Sequence, residues 1–229
     1  MNGRLIIIES GTDGSGKATQ TKLLYEKLSG LDIKVKKITF PNYESESSSL
    51  VKMYLRGEFG KNPSEVNPYA ASAFYSVDRF ASYKMDWEVF LKQGGIVISD
   101  RYTTSNMVHQ AAKIQDEQER DSYLKWLSEL EYEKFGLPVP SRVFFLDMPP
   151  EITQKLMENR ANKITGEAKK DIHESNEQYL QDSYNNSLYI AKKYNWEIIK
   201  CVENGKIRTP QEIHEEIYTK ALKVIEDSF

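Results

Sequence analysis

The sequence predicts a three-layer α/β fold in which a five-stranded parallel sheet lies between two layers of helices. Two observations support this prediction. Short aliphatic runs alternate with longer stretches of helical periodicity, as expected when crossover helices join parallel strands. The first aliphatic run is followed directly by a glycine-rich segment and then by a helical stripe. Because 229 residues can bury a full core, we expect one domain spanning residues 1–229.

The predicted strands are short and rich in apolar residues, and they lie at residues 5–8, 33–40, 95–99, 143–146 and 196–200. After the helix that follows the glycine-rich segment, helical spacing predicts further helices over residues 47–55, 68–91, 116–135, 150–160, 174–194 and 209–226. A polar, lysine-rich stretch at residues 161–173 has no apolar stripe, so we expect a mobile excursion between two helices.

Composition narrows the function classes. A net charge of −3 argues against a broad nucleic-acid surface, because such surfaces carry many exposed cations. We find no apolar run of membrane-spanning length and no signal-peptide pattern, which predicts a cytoplasmic protein without a membrane partner. The single cysteine, Cys201, is predicted to be a core residue, whereas His214 is predicted to be solvated.

The glycine-rich segment has the spacing of a phosphate-binding loop. Gly11, Gly16 and Lys17 match the pattern of glycine, four residues, glycine and lysine that follows a buried strand and opens a helix. In such a loop, backbone N–H groups and the positive helix end attract an anion, and the lysine adds a mobile cation. The alternative is a glycine turn with a solvated lysine.

The loop departs from the pattern at the next position. Ala18 occupies the place of the serine or threonine that normally contributes a hydroxyl group to Mg²⁺. Thr19 cannot simply replace it, because adjacent helical side chains point about 100° apart. Since Mg²⁺ keeps several waters and takes few protein ligands, we expect a water molecule to fill this place.

A second charged element follows the third predicted strand. Asp100 and Arg101 stand together at its carboxyl end, where ligands of α/β sheets lie. The carboxylate of Asp100 could assist a metal ion or accept a hydroxyl proton. The guanidinium group of Arg101 could bind a phosphate through two parallel hydrogen bonds. The alternative is an Asp-Arg pair that only caps the next helix.

An aromatic and a cationic residue share a helix face earlier in the chain. Tyr75 and Arg79 are four residues apart, so the ring and the guanidinium group are placed to stack on a base and to hydrogen-bond to it. Ordinary core packing is the alternative, because aromatic residues at helical spacing usually belong to the core.

Taken in order along the chain, these motifs resemble the thymidylate kinase family. The resemblance rests on Gly-x-Asp-Gly-x-Gly-Lys-x-Thr at residues 11–19, Phe40-Pro41, Asp78-Arg79, Asp100-Arg101-Tyr102-x-x-Ser105-Asn106, Leu137-Pro138-x-Pro140 and Leu146-Asp147-x-Pro149. It covers nearly the whole chain. It implies a P-loop NTPase fold, transfer of the ATP γ-phosphoryl group to dTMP, Mg²⁺ as cofactor, and a homodimer.

The resemblance also implies a role for individual residues. Catalysis is assigned to Lys17, Asp100 and Arg101. ATP binding is assigned to Gly11, Thr12, Asp13, Gly14, Ser15, Gly16, Lys17, Ala18, Thr19 and Arg160. The nucleotide acceptor is assigned to Asp13, Phe40, Pro41, Tyr75, Arg79, Arg101, Ser105, Asn106 and His109. Asp100 and Glu174 are the implied metal ligands, and residues 161–173 the implied lid.

Other positions depart from the family pattern. Asn42 follows Phe40-Pro41, where the family commonly has an arginine that touches the acceptor phosphate; Lys52 and Arg56 are candidate replacements. His109 occupies a position at which some members have a tyrosine near the sugar. Two alternatives to a dTMP kinase therefore remain open: a kinase for another nucleoside monophosphate or a deoxynucleoside, and a nucleotide-binding regulatory protein without transfer activity.

Overall fold

The computed structural model describes residues 3–157 and 177–226. Its centre is a sheet of five parallel strands in the order β2-β3-β1-β4-β5. The strands are β1 (Arg4–Ser10), β2 (Val35–Thr39), β3 (Ile96–Asp100), β4 (Arg142–Asp147) and β5 (Glu197–Lys200). The predicted fold class is therefore confirmed. A short antiparallel hairpin of β6 (Val202–Glu203) and β7 (Lys206–Ile207) follows the last strand of the sheet.

Helices join the strands and cover both faces of the sheet. They are α1 (Lys17–Ser29), α2 (Ser49–Leu55), α3 (Pro68–Ser82), α4 (Glu88–Lys92), α5 (Thr103–His109), α6 (Glu117–Ser128), α7 (Pro150–Met157), α8 (Glu177–Lys193) and α9 (Pro210–Glu226). Two π-helical segments extend this set: Tyr83–Trp87 joins α3 to α4, and Glu129–Lys134 continues α6.

Alternation along the strands divides the core into two layers. Ile6 and Ile8 of β1 face the side that α1 and α9 cover, whereas Leu5 and Ile7 face the side that α5, α6 and α8 cover. All four side chains are essentially inaccessible to solvent. Because both faces are buried, polar side chains of the central strands concentrate where the strands end.

The carboxyl ends of β2, β3 and β1 lie side by side. Asp100 of β3 pairs with Ile8 of β1 on one side and with Thr39 of β2 on the other. This register brings the glycine loop after β1 next to the Asp100-Arg101 pair after β3. The fold therefore places the two predicted charged elements at one edge.

Most predicted elements are confirmed, with differences in detail. The predicted helix over residues 68–91 is interrupted by the π-helical turn at Tyr83–Trp87, which periodicity alone does not reveal. Cys201 is fully buried, as predicted. The prediction for His214 is wrong: this residue is 7% exposed, because it lies on the apolar side of α9 and its ring stacks against Tyr218.

The predicted lid at residues 161–173 lies outside the described residues.

Within residues 3–157 and 177–226, no helix combines the length and apolar character that a bilayer crossing requires.

Candidate active site

Two glycines shape the loop that connects β1 to α1. Gly16 caps the start of α1 with a φ of 91°, a left-handed conformation that costs glycine little. Gly11 lies against α8: a Cβ atom built there would be 2.4 Å from Oγ of Ser187. The loop therefore needs glycine once for its backbone and once for close packing.

The loop lysine folds back onto its own loop. Nζ of Lys17 lies 2.7 Å from Oγ of Ser10 and 2.9 Å from the carbonyl oxygen of Thr12, and 3.5 Å from Oδ1 of Asp13. Ser15 also donates a hydrogen bond to Ser10, over 2.7 Å. These contacts place the only predicted catalytic lysine at the centre of the loop.

Burial and a nearby cation both act on Lys17. Loss of water around its ammonium group is the larger effect, and the positive charge of Arg101 adds to it, so the pKa of Lys17 falls to about 8. Asp13, Asp100 and Glu9 oppose the shift. A bound polyphosphate would add negative charge beside the ammonium group and would raise its pKa again.

Arg101 faces the loop from the end of β3. Its φ is 69°, which is unusual for a residue with a side chain. The guanidinium group forms an ion pair with Asp13 and lies 3.2 Å, NH1 to Nε2, from His109. Arginine has only donors, so Nε2 of His109 is the acceptor in that contact. Asp13, Arg101 and His109 are thus brought together, as three of the predicted site residues.

Glu9 was not predicted from the sequence, although its carboxylate contacts Arg101 and the start of α5. Glu9 is fully buried and its carboxylate accepts hydrogen bonds from Thr104 (2.7 Å) and Ser105 (2.6 Å). One oxygen also lies 4.0 Å from NH1 of Arg101. A carboxylate that directly follows the aliphatic run at residues 5–8 was the available signal.

Asp100 has a carboxylate oxygen that is available to a ligand. Its side chain is 7% exposed, and Oδ1 has no hydrogen-bond partner within the described part of the chain. An orphaned buried carboxylate oxygen fits a divalent cation or a water held by one. Ala18 and Thr19 are exposed at the start of α1, and Ala18 offers no oxygen from its side chain.

Asp78 anchors the turn that follows β2. Its carboxylate accepts hydrogen bonds from the backbone N–H of Asn42 (2.8 Å) and from Oγ of Ser47 (2.6 Å). Lys52 donates to the carbonyl oxygen of Tyr43 over 3.1 Å, whereas half-exposed Arg56 approaches Glu58. Of the two candidate replacements for the missing arginine, Lys52 is the one bonded to this turn.

Arg79 and Asn106 meet behind the turn. NH2 of Arg79 donates to Oδ1 of Asn106 over 3.2 Å, and the guanidinium group is paired with Glu131, which is also fully buried. Tyr75, one helical turn before Arg79, packs edge-on against Tyr54 with 6.4 Å between ring centroids. Glu131 was also missed, although it continues an apolar stripe through Leu124 and Leu127 and a carboxylate there is a signal.

The remaining predicted residues fall into two groups. Phe40 is buried, and its ring packs against that of Tyr102 with 6.0 Å between the ring centroids. Pro41 follows through a cis peptide bond and is partly exposed. Arg160 and Glu174 lie outside the described residues, so their assignments stay predictions.

The fold and the glycine loop define a P-loop protein that binds nucleotides. The family model for thymidylate kinase matches residues 8–222. The thymidylate kinase of Mycobacterium tuberculosis is 32% identical over 170 residues, covering 72% of this chain and 75% of that protein. The thymidylate kinase of Plasmodium falciparum is 27% identical over 185 residues, or 80% of each chain. The chain belongs to the thymidylate kinase family.

A solved structure supports the same fold. The thymidylate kinase of Candida albicans superposes with a TM-score of 0.71 at 23% identity, covering 98% of this chain and 94% of the other. This match extends over all three layers.

The lowered pKa of Lys17 predicts that ATP binding takes up a proton at alkaline pH. At pH 9 the free protein holds Lys17 mostly neutral, and bound phosphates favour the charged form, so uptake should approach about one proton per ATP. Calorimetric titration in two buffers of different ionisation enthalpy measures this uptake. At pH 7 Lys17 is already charged, so the uptake should be small; equal values at the two pH values would contradict the assignment.

Proposed function

We propose that this member of the thymidylate kinase family transfers the γ-phosphoryl group of ATP to dTMP, giving dTDP and ADP. The observation that carries the proposal is the convergence of Lys17, Asp13 and Arg101 at the carboxyl edge of the sheet. One cation belongs to the phosphate loop and the other follows β3, so donor and acceptor phosphates would each meet one. Family membership supplies the identity of the two nucleotides.

The loop is proposed to bind the donor. The backbone from Gly11 to Thr19, the start of α1 and Lys17 would hold the phosphates of ATP, because aligned N–H groups and the helix end favour negative charge. When ATP arrives, Nζ of Lys17 would exchange its contacts with Ser10 and Thr12 for phosphate oxygens. Arg160 is proposed to join the donor site by family resemblance.

The acceptor is proposed to lie between the turn after β2, α3 and α5. Arg101 would bind the 5′-phosphate of dTMP, and Asp13 would leave its ion pair for the 3′-hydroxyl group of the sugar. Tyr75 would stack on thymine, and Arg79, Ser105, Asn106 and His109 would surround the base and sugar. Phe40 and Pro41 shape the end of β2, where Lys52 offers a cation in place of the missing arginine.

Mg²⁺ is proposed as the cofactor. The described residues hold no cluster of three or more His, Cys, Asp or Glu side chains, but a magnesium site of this class needs only one or two carboxylates beside the phosphates. Asp100 would provide that carboxylate through its orphaned Oδ1, with Glu174 as a second candidate by resemblance. The ion, when bound, neutralises charge on the phosphates.

The reaction places few covalent demands on the protein. Phosphoryl transfer needs the donor and acceptor in line and needs compensation of the negative charge that spreads over the transferred group. Lys17 and Arg101 supply positive charge in a site that excludes much of the water, where each charge acts strongly. Residues 161–173 are proposed as the lid that completes this exclusion.

The assembly and location of the protein are further proposals. The face that runs from α3 to α4 exposes Val77 (48%), Phe80 (38%), Met85 (84%) and Val89 (66%), and this apolar stripe supports a homodimer. A cytoplasmic location agrees with Cys201, which is the single cysteine and a buried thiol that needs no oxidising compartment.

Incubation with ATP, Mg²⁺ and a panel of nucleoside monophosphates tests the proposed reaction. We expect rapid formation of dTDP and little diphosphate from purine nucleotides, with products separated by anion-exchange chromatography. Preferential formation of another diphosphate, or binding of ATP without turnover of any acceptor, would overturn the assignment.

Ala18→Ser tests the departure in the phosphate loop. A water molecule is proposed to replace the missing hydroxyl group, so the added hydroxyl should change kcat by less than about tenfold. Titration of the rate with Mg²⁺ compares the wild type with this variant, and Thr19→Ala is the matched control on the next position. A gain of several hundredfold in Ala18→Ser would show that the natural loop lacks an essential ligand.

A further inference from the structure

Arg79 and Glu131 form an ion pair that is buried in the core. Their side chains are 1% and 0% exposed, and they come from α3 and from the π-helical segment after α6. Glu131 accepts hydrogen bonds from both Nε and NH2 of Arg79, so the two side chains form a bidentate pair along one edge of the guanidinium plane. A bidentate pair fixes both the position and the rotation of the guanidinium group.

The rest of the carboxylate is also fully engaged. Ser76, one turn before Arg79 on α3, donates its hydroxyl group to Glu131 over 2.7 Å. Thr103, the first residue of α5, donates to it over 2.5 Å. Glu131 therefore joins three elements, and through Thr103 it holds the helix that begins two residues after Arg101.

The donors of Arg79 are not all used. Glu131 takes Nε and one N–H of NH2, and Oδ1 of Asn106 takes the other. NH1 has one long contact, 3.4 Å to the carbonyl oxygen of Tyr102, among the residues that the structure describes. Since NH1 carries two N–H groups, at least one of them remains for a ligand.

Asn106 has a similar spare donor. Arginine can only donate, so the atom of Asn106 that faces NH2 must be the oxygen. This leaves Nδ2 of Asn106 as a buried donor without a partner in the described parts of the chain. An orphaned amide next to a guanidinium group with a spare N–H indicates a ligand atom that accepts hydrogen bonds.

We propose that Glu131 is a positioning residue that orients Arg79, and through it Asn106, so that their free donors meet an acceptor atom of the nucleotide base. The inference rests on the proposed function for the identity of that base. Glu131 does not touch the nucleotide. Without it, Arg79 would keep its charge but lose the edge-on contact that sets its rotation.

The decisive measurement compares the change in the KM for dTMP with the change in the KM for ATP. In Glu131→Gln one carboxylate oxygen becomes an amide that cannot accept from Arg79, so the KM for dTMP should rise by about ten- to a hundredfold, the effect of a small misplacement of a binding group. The KM for ATP should change less than about twofold. Glu131→Asp keeps the charge but withdraws it by one methylene, and it should give the same difference between the two substrates with a smaller rise.

Two controls separate positioning from general loss of stability. Leu127→Ala removes a buried side chain one turn earlier on the same helical stripe, and it should lower the melting temperature without raising the KM for dTMP selectively. In a double-mutant cycle, Glu131→Gln should add little to the KM for dTMP once Arg79→Met is present, because its effect passes through Arg79.

Three results would overturn the inference: an unchanged KM for dTMP in folded Glu131→Gln, a parallel rise of the KM for ATP, or the same fold-increase with and without Arg79. If Glu131→Gln does not fold, Glu131→Asp alone and combined with Arg79→Met gives the same comparison. Failure of the proposed function is distinguishable, since it would show as a wild-type protein that does not phosphorylate dTMP.

Discussion

The structure depends on charged side chains that are buried or half-buried where strands end. Apolar residues cover both faces of the central strands, so ionised groups collect at the carboxyl edge, where Glu9, Asp13, Lys17, Asp100 and Arg101 lie together. A buried charge is tolerated only when opposite charges and hydrogen bonds compensate it. The mutual compensation of three carboxylates and two cations fixes the loop after β1 and the segment after β3 in one arrangement.

Two fully buried carboxylates, Glu9 and Glu131, hold the start of α5 next to this edge. Glu9 binds Thr104 and Ser105, and Glu131 binds Thr103, so three successive side chains at the start of α5 are tied to the core. Removing one partner of a buried pair such as Arg79–Glu131 generally costs about 3–5 kcal/mol, because the other charge is left uncompensated. The same bonds that stabilise the fold thus hold the residues proposed to meet the nucleotides.

The fold was predictable from the sequence because strand, glycine loop and helix follow one another with clear periodicity, as in Leu5 to Leu28. The loop and Asp100-Arg101 were predictable since their position at strand ends is itself informative. Glu9 and Glu131 were not identified, because their importance comes from partners that are distant in sequence. The hydroxyl donors to Glu9 are 95 and 96 residues away, and the donors to Glu131 are 28–55 residues away. The burial of His214 was not predicted either, because it depends on the packing of α9 against α1.

Arg101, which Asp13 and Glu9 hold in the free protein, is proposed to receive the acceptor phosphate. The most direct test combines turnover with ATP binding in Arg101→Ala, with Arg142→Ala at the opposite end of the sheet as the control. Transfer to dTMP should fall by about a hundredfold or more, as for loss of a charge that stabilises the transition state, while the affinity for ATP stays within about threefold. Unchanged turnover in Arg101→Ala would contradict the claim.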